Sequence, residues 1–309
     1  MKNTKFINRF KVPEVAFAIL DKIVNPEEIA MIEAIKTTSF ALTEALEALN
    51  SNNSKTYTID EVKNILINSY KRGVLELEDE SYEKYKIGSF YTRLDIFAIT
   101  ECDTYKSLDR EVQINLDKWY FQAFVDTLDQ SSITPTQDKT VTLNEAIDFV
   151  NSTDKPIWLN LCDCRTLAGN CDYPTDVCIS FRNGINTFSH RGLSKSINKE
   201  EAINVLKRAN KAGLMHTLNP NSICNCCGDC CYLFRAQKVI NSNKTWPISS
   251  SIALFSEENC VKCGICIKKC HFNAFSKQDG KINFNSDECR GCGVCISSCP
   301  TSSIKMTGV

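Results

Sequence analysis

The sequence predicts an α+β multidomain chain of three parts: a helical N-terminal domain (1–130), a mixed α/β cysteine-rich middle domain (131–250) and a small C-terminal domain (251–309). Three observations carry this reading. Apolar residues recur at helical spacing through the first third, and short apolar runs alternate with helical stretches in the middle. Seventeen of the eighteen cysteines lie beyond residue 160, the exception being Cys102. A length of 309 residues suits two or three domains, and 43% hydrophobic with 24% charged residues is ordinary globular usage. A disordered or fibrous chain is thereby excluded.

In the first part, Asn25-Pro26 opens a helix with Pro at its first position and Glu27 and Glu28 at its positive end. Ser39 is read as the start of a second helix through Leu49, ended by the polar stretch Asn50 to Ser54. Thr58-Ile59-Asp60-Glu61 reads as the capping start of a third, which closes at Gly73. Val74–Glu78 and Tyr85–Phe90 are candidate strands around the acidic turn Asp79-Glu80. A further helix, Glu111–Leu128, carries Trp119, Tyr120, Phe121 and Phe124 as a core face.

Three helices followed by a two-stranded ribbon resemble a winged helix-turn-helix. Lys63, Lys71 and Arg72 on the third helix stand against Asp60 and Glu61, and the ribbon turn is acidic. Phosphate is repelled by such a face, so protein docking or a purely structural role is expected there rather than nucleic-acid binding.

The polar, Pro-containing segment 129–140 is the expected boundary. Beyond it come a helix (Leu143–Val150), a strand (Ile157–Leu161), and a helix from Asn198 to Lys211 stopped at Gly213. No apolar run approaches the roughly 20 residues needed to cross a bilayer. Pro13 and Glu14 interrupt the N-terminal apolar patch and no small-residue cleavage site follows, so no signal peptide is expected. A cytoplasmic chain keeps its thiols reduced, which favours metal ligation over disulfides.

Charge divides the chain: residues 1–155 carry 18 basic and 26 acidic side chains, residues 156–309 carry 18 and 11. The basic surplus follows the cysteines and would offset an anionic metal–thiolate centre, although a basic docking face is equally compatible.

Cys260-x2-Cys263-x2-Cys266-x3-Cys270 is repeated 29 residues later as Cys289-x2-Cys292-x2-Cys295-x3-Cys299-Pro300, with Gly264 and Gly293 also in register. This duplication resembles the bacterial two-cluster [4Fe–4S] ferredoxins. The resemblance implies a ferredoxin-like fold and two [4Fe–4S] clusters with crossed ligation. One cluster would be held by Cys260, Cys263, Cys266 and Cys299, the other by Cys289, Cys292, Cys295 and Cys270. The fourth cysteine of each run is expected at the start of a helix. The first run departs from the family at His271, where proline is usual, and His271 is read as a tolerated surface residue.

Nine further thiols form two groups: Cys162-x-Cys164-x6-Cys171-x6-Cys178 and Cys224-x-Cys226-Cys227-x2-Cys230-Cys231. The phrase Ile-Cys-Asn-Cys-Cys-Gly-Asp-Cys-Cys, with an upstream Cys-x-Cys-Arg element and a C-terminal ferredoxin, resembles a poorly characterised family of 4Fe–4S-binding proteins from anaerobes. One or two more iron–sulfur clusters are expected here. Structural zinc on Cys162, Cys164, Cys171 and Cys178 is the alternative, and would leave five thiols unused.

Adjacent cysteines diverge along the chain, so Cys226-Cys227 points to two centres, a larger cluster, or a ligand beside a packed thiol. His190, Arg191, His216, Arg165 and Arg182 are candidates either for balancing cluster charge or for holding an anionic substrate. No GxGxxG or GxxxxGK[ST] motif occurs, so electrons are expected from a partner protein rather than a bound nicotinamide. The expected function is electron transfer between these clusters and a redox partner. A reductase acting on a small-molecule substrate, and a redox-sensing regulator, are the alternatives.

Overall fold

The computed structural model describes residues 4–52, 55–129, 131–132, 134–240 and 246–309. Asn53 and Ser54 of the polar stretch, and Gln130 and Ile133 of the boundary segment, lie outside the described residues, as do Met1 to Asn3. The chain folds into two units. The first comprises 1–123 with 166–168 and 183–195; the second comprises 124–165, 169–182 and 196–309, and holds every cysteine except Cys102.

The first unit begins with helices Thr4–Phe10, Leu20–Ile23 and Pro26–Ala34, the last opened by an Asn25/Glu28 capping box. Ser39–Ala41 is a strand, not the start of the second helix. It pairs antiparallel with Lys84–Ile87, setting Phe40 opposite Tyr85 with their rings 6.2 Å apart. That cross-strand aromatic pairing outweighs the helical start that Ser39 suggests.

The second helix is Leu42–Asn52, and the third is Ile59–Lys71, with reciprocal Thr58 and Glu61 caps. Leu75–Leu77 completes a three-stranded sheet in which Lys84–Ile87 is central. The helices close over it on Met31, Phe40, Leu49, Val62, Leu66, Tyr70, Leu77 and Tyr85.

The strand expected to reach Phe90 ends at Ile87, and Ser89 caps a helix, Phe90–Thr100, that the sequence pattern does not announce. Its aromatic and β-branched residues have modest helix propensity; complete burial of Phe90, Leu94 and Phe97 decides the matter. The long helix Arg110–Asp126 places Tyr120 against Tyr91 at 4.0 Å and Trp119 against Phe90 at 5.4 Å, a packing role.

The second unit is built on a seven-stranded sheet in the order Ile248–Ser249, Lys139–Val141, Met215–Asn219, Ser222–Cys226, Cys178–Ser180, Ile157–Asn160, Lys195–Ile197. Helices Leu143–Ser152 and Lys199–Ala212 pack on each other, each opened by a capping box, Thr142/Glu145 and Asn198/Glu201. Gly213 ends the second at φ 104°, a left-handed conformation that glycine adopts without Cβ strain. Two small two-stranded antiparallel sheets, Ser251–Phe255 with Ile304–Gly308 and the hairpin Phe275–Gln278 with Lys281–Phe284, complete the unit. No helix among the described residues is long and apolar enough to cross a membrane.

Candidate metal centres

In the C-terminal part, the two halves of the cysteine repeat adopt the same local structure. Gly264 at φ 74° and Gly293 at φ 71° precede the short helices Ile265–Lys269 and Val294–Ser298. The fourth cysteine of each run sits at the C-terminal cap of its helix, not at a helix start as the sequence suggested. Five-residue helices end before the cysteine is reached, and Cys270 and Cys299 leave them in extended conformation.

A small cavity is lined by Cys260, Cys263, Cys266 and Cys299, with Ile265, Pro300 and Ile304. Cys270 keeps company with the other run: its charge, with that of Cys289, bears on both Cys292 and Cys295. Each group therefore draws three thiols from one run and one from the other. Six of the eight pack against an apolar core of Ala253, Ala274, Phe275, Ile282 and Ile304.

Thiolates gathered this closely need a cation to stay charged. Burial pushes the Cys292 thiol up to about 12, and burial with the charges of Cys292, Cys289 and Cys270 raises Cys295. Cys299 goes the other way: burial would raise it, but the backbone of Thr301 and Ser303 outweighs that and lowers it. Backbone N–H groups of Lys262 and Ala274 donate to the sulfurs of Cys260 and Cys270, each at 3.4 Å. An all-thiolate donor set with amide donors to sulfur suits iron–sulfur clusters.

The nine middle thiols separate into two sets. On strand Ser222–Cys226, alternation puts Cys224 and Cys226 on one face and Asn225 on the other. Cys226 meets Cys231 at 3.2 Å, and Cys162 has Cys164 and Cys178 as hydrogen-bonding neighbours. Cys178 in turn reaches Cys224, and Cys231 lies in the field of Cys164. Six thiols thus form a ring: 162, 164, 231, 226, 224 and 178.

The other three, Cys171, Cys227 and Cys230, have sulfurs within 4.8 Å of one another. The adjacent cysteines Cys226 and Cys227 therefore serve different groups, as side-chain divergence along the chain demands.

Arg165 lies between the sets, 3% exposed. Its guanidinium donates to the carbonyls of Pro174 (2.6 Å) and Asn225 (2.8 Å). Burial opposes its charge, but negative charge on the sulfurs of Cys162, Cys227 and Cys178 outweighs that and raises its pKa. Its Nε is buried without a hydrogen-bond partner among the described residues, an orphan donor that a metal-bound thiolate would satisfy.

Three of the other basic candidates, His216, His190 and Arg191, have protein partners of their own. His216 is fully buried, its Nδ1 2.6 Å from Asn225 Oδ1 and its Nε2 3.4 Å from Asn210; burial pulls it down to about 4, so it stays neutral. His190 and Arg191 belong to the first unit, where Tyr70 Oη lies 2.7 Å from His190 Nδ1 and Arg191 donates to the carbonyls of Tyr70 and Leu75.

His271 is not a free surface residue. It is half-buried, with Nε2 2.8 Å from the Gly213 carbonyl and Nδ1 accepting the Gly228 N–H at 3.3 Å. A carbonyl can only accept and an amide can only donate, so the pair fixes the neutral Nε2–H tautomer. Gly228 must be glycine here, because a Cβ would stand 2.9 Å from His271 Cβ and 3.2 Å from its carbonyl. The bridge joins the residue after Cys270 to the loop between Cys227 and Cys230. Its only sequence signal was the departure from proline; the roles of Asn225 and Gly228 had none.

Residues 253–306 match the family model described as 4Fe–4S dicluster domain. No curated protein matches the chain. The C-terminal segment is thus a 4Fe–4S dicluster domain of ferredoxin type.

Proposed function

We propose that the protein is an iron–sulfur electron-transfer protein working with a redox partner protein. The observation that carries the reading is the pairing of a 4Fe–4S dicluster domain with a second, all-cysteine region in the same compact unit. [4Fe–4S] clusters, when bound, supply one-electron redox chemistry at potentials set by charge, hydrogen bonding and solvent exposure.

The crossed sets, Cys260/Cys263/Cys266/Cys299 and Cys270/Cys289/Cys292/Cys295, are the proposed ligands of two clusters. Four thiols of the ring Cys162, Cys164, Cys178, Cys224, Cys226 and Cys231 are proposed to hold a further cluster, because six thiols exceed the four that one tetrahedral ion binds.

The two ferredoxin sites differ in surroundings. Cys263 is exposed, flanked by the exposed apolar residues Val261 and Ile265. A small apolar patch beside an accessible ligand suits a transient docking face for the partner. Around the other set, Gly291 approaches Ser249 and Ser251, and Gly293 approaches Thr142, so the backbone there lies against the rest of the unit.

Residues 1–130 are proposed as a winged-helix-like docking domain. The order of helix, strand, two helices and hairpin supports the likeness. Asp60 and Glu61 in the first turn of the third helix, and the acidic 78–83 turn, favour a protein partner over DNA.

An anaerobic potentiometric titration followed by EPR tests the function. Reversible reduction by a low-potential protein donor, with re-oxidation by a protein acceptor and no added small molecule, is expected. Clusters that re-oxidise only while a small-molecule substrate is consumed would instead indicate the reductase.

A further inference from the structure

We infer that Cys171, Cys227 and Cys230 form a mononuclear metal site, separate from the six-thiol ring, with one coordination position left to an exogenous ligand. The sulfur–sulfur distances point there first. Cys171 Sγ is 3.7 Å from Cys227 Sγ and 3.5 Å from Cys230 Sγ, and all three sulfurs lie within 4.8 Å. A tetrahedral ion with metal–sulfur bonds of about 2.3 Å sets its ligands about 3.8 Å apart. On a cubane each thiolate binds its own corner iron, which spaces the sulfurs much more widely. The trio has the spacing of one ion.

Local geometry agrees. Cys227-x2-Cys230 has the short spacing of a metal-binding knuckle. The Cys230 backbone N–H donates to Cys227 Sγ at 3.4 Å, which fixes that sulfur's orientation. Cys227 and Cys230 are fully buried, whereas Cys171 is half-buried on a loop. No fourth His, Cys, Asp or Glu joins the group among the described residues. The open position is assigned to the side of Cys171, the least buried of the three.

Charge balances as well. Three thiolates around one divalent ion make a centre of net −1, which the buried Arg165 guanidinium beside Cys227 offsets. Thiolates suit zinc or iron(II). The Gly228 amide between the two buried ligands bonds to His271, so the site abuts the ferredoxin segment. An exchangeable fourth ligand on a three-thiolate ion is the arrangement of catalytic rather than structural sites.

The test uses full-length protein whose iron–sulfur sites have been filled anaerobically, then exposed to Zn(II) alone and desalted. Zinc analysis and zinc K-edge X-ray absorption should give one zinc per chain with three sulfurs at about 2.3 Å and one oxygen or nitrogen at about 2.0 Å. Cys171→Ala, on the loop, should speed zinc loss to a chelator at least tenfold with iron and sulfide counts unchanged, and Cys102→Ala should change nothing. A four-sulfur shell, failure to take up zinc, or loss of iron and sulfide together from Cys171→Ala would each overturn the assignment. The electron-transfer reading survives any of these results, since the ferredoxin ligands are untouched.

Discussion

Replacing His271 by the proline usual in ferredoxins separates two roles that the native residue combines. Cys270 and its backbone can keep their place, but the imidazole bridge between Gly213 and Gly228 is lost. The bond to the Gly213 carbonyl, at 2.8 Å, and the longer one from Gly228, at 3.3 Å, are together worth about 1.5–2 kcal/mol net. The ring contact with Tyr173, at 5.8 Å, adds about 0.5–1 kcal/mol.

A loss of about 2–3 kcal/mol against local opening corresponds to a roughly 30- to 150-fold faster amide exchange. Hydrogen-exchange mass spectrometry of the anaerobic full-length protein should show that acceleration in peptides covering 212–214 and 227–231, with the ferredoxin EPR signal retained. Unchanged protection at Gly228 would refute the bridge. Loss of the Cys289/Cys292/Cys295 cluster would show instead that His271 supports ligation.

Three other outcomes follow from the geometry. Cys270→Ser should alter the EPR signal of the Cys289/Cys292/Cys295 cluster and spare that of Cys260/Cys263/Cys266; the reverse pattern would contradict crossed ligation. His216, held near 4 in the fold against about 6.5 unfolded, binds its extra proton only on unfolding. Its stabilisation is complete above pH 6.5 and falls as pH drops toward 4, with about 2 kcal/mol lost by pH 5. Urea midpoints should therefore fall less between pH 7 and 5 in His216→Gln than in the native protein, and equal slopes would count against this. Full-length protein should show no tight, salt-sensitive binding to duplex DNA in a gel-shift titration, since thirteen basic residues face fifteen acidic ones over residues 1–100.

What the sequence disclosed and what it withheld have physical causes. The 29-residue duplication marked the dicluster domain because ligand spacing there is local. Capping boxes at Thr58, Thr142 and Asn198 marked helix starts for the same reason. Phe90–Thr100 stayed hidden, since its helicity comes from burial rather than propensity. Ser39–Ala41 did too, because a partner 45 residues away makes it a strand. The sorting of Cys226 and Cys227 into different sets depends on where Cys171, Cys178 and Cys231 arrive in space, and spacing along the chain carries no record of that.

The central claim is that this chain holds iron–sulfur clusters beyond its ferredoxin pair. Iron and acid-labile sulfide, counted per chain on anaerobically purified full-length protein with Mössbauer spectra to assign the iron, test it most directly. About twelve iron and twelve sulfide atoms are expected, eight of each in two cubanes and the rest in the six-thiol ring. About eight of each, with zinc or no metal in the six-thiol ring, would contradict it.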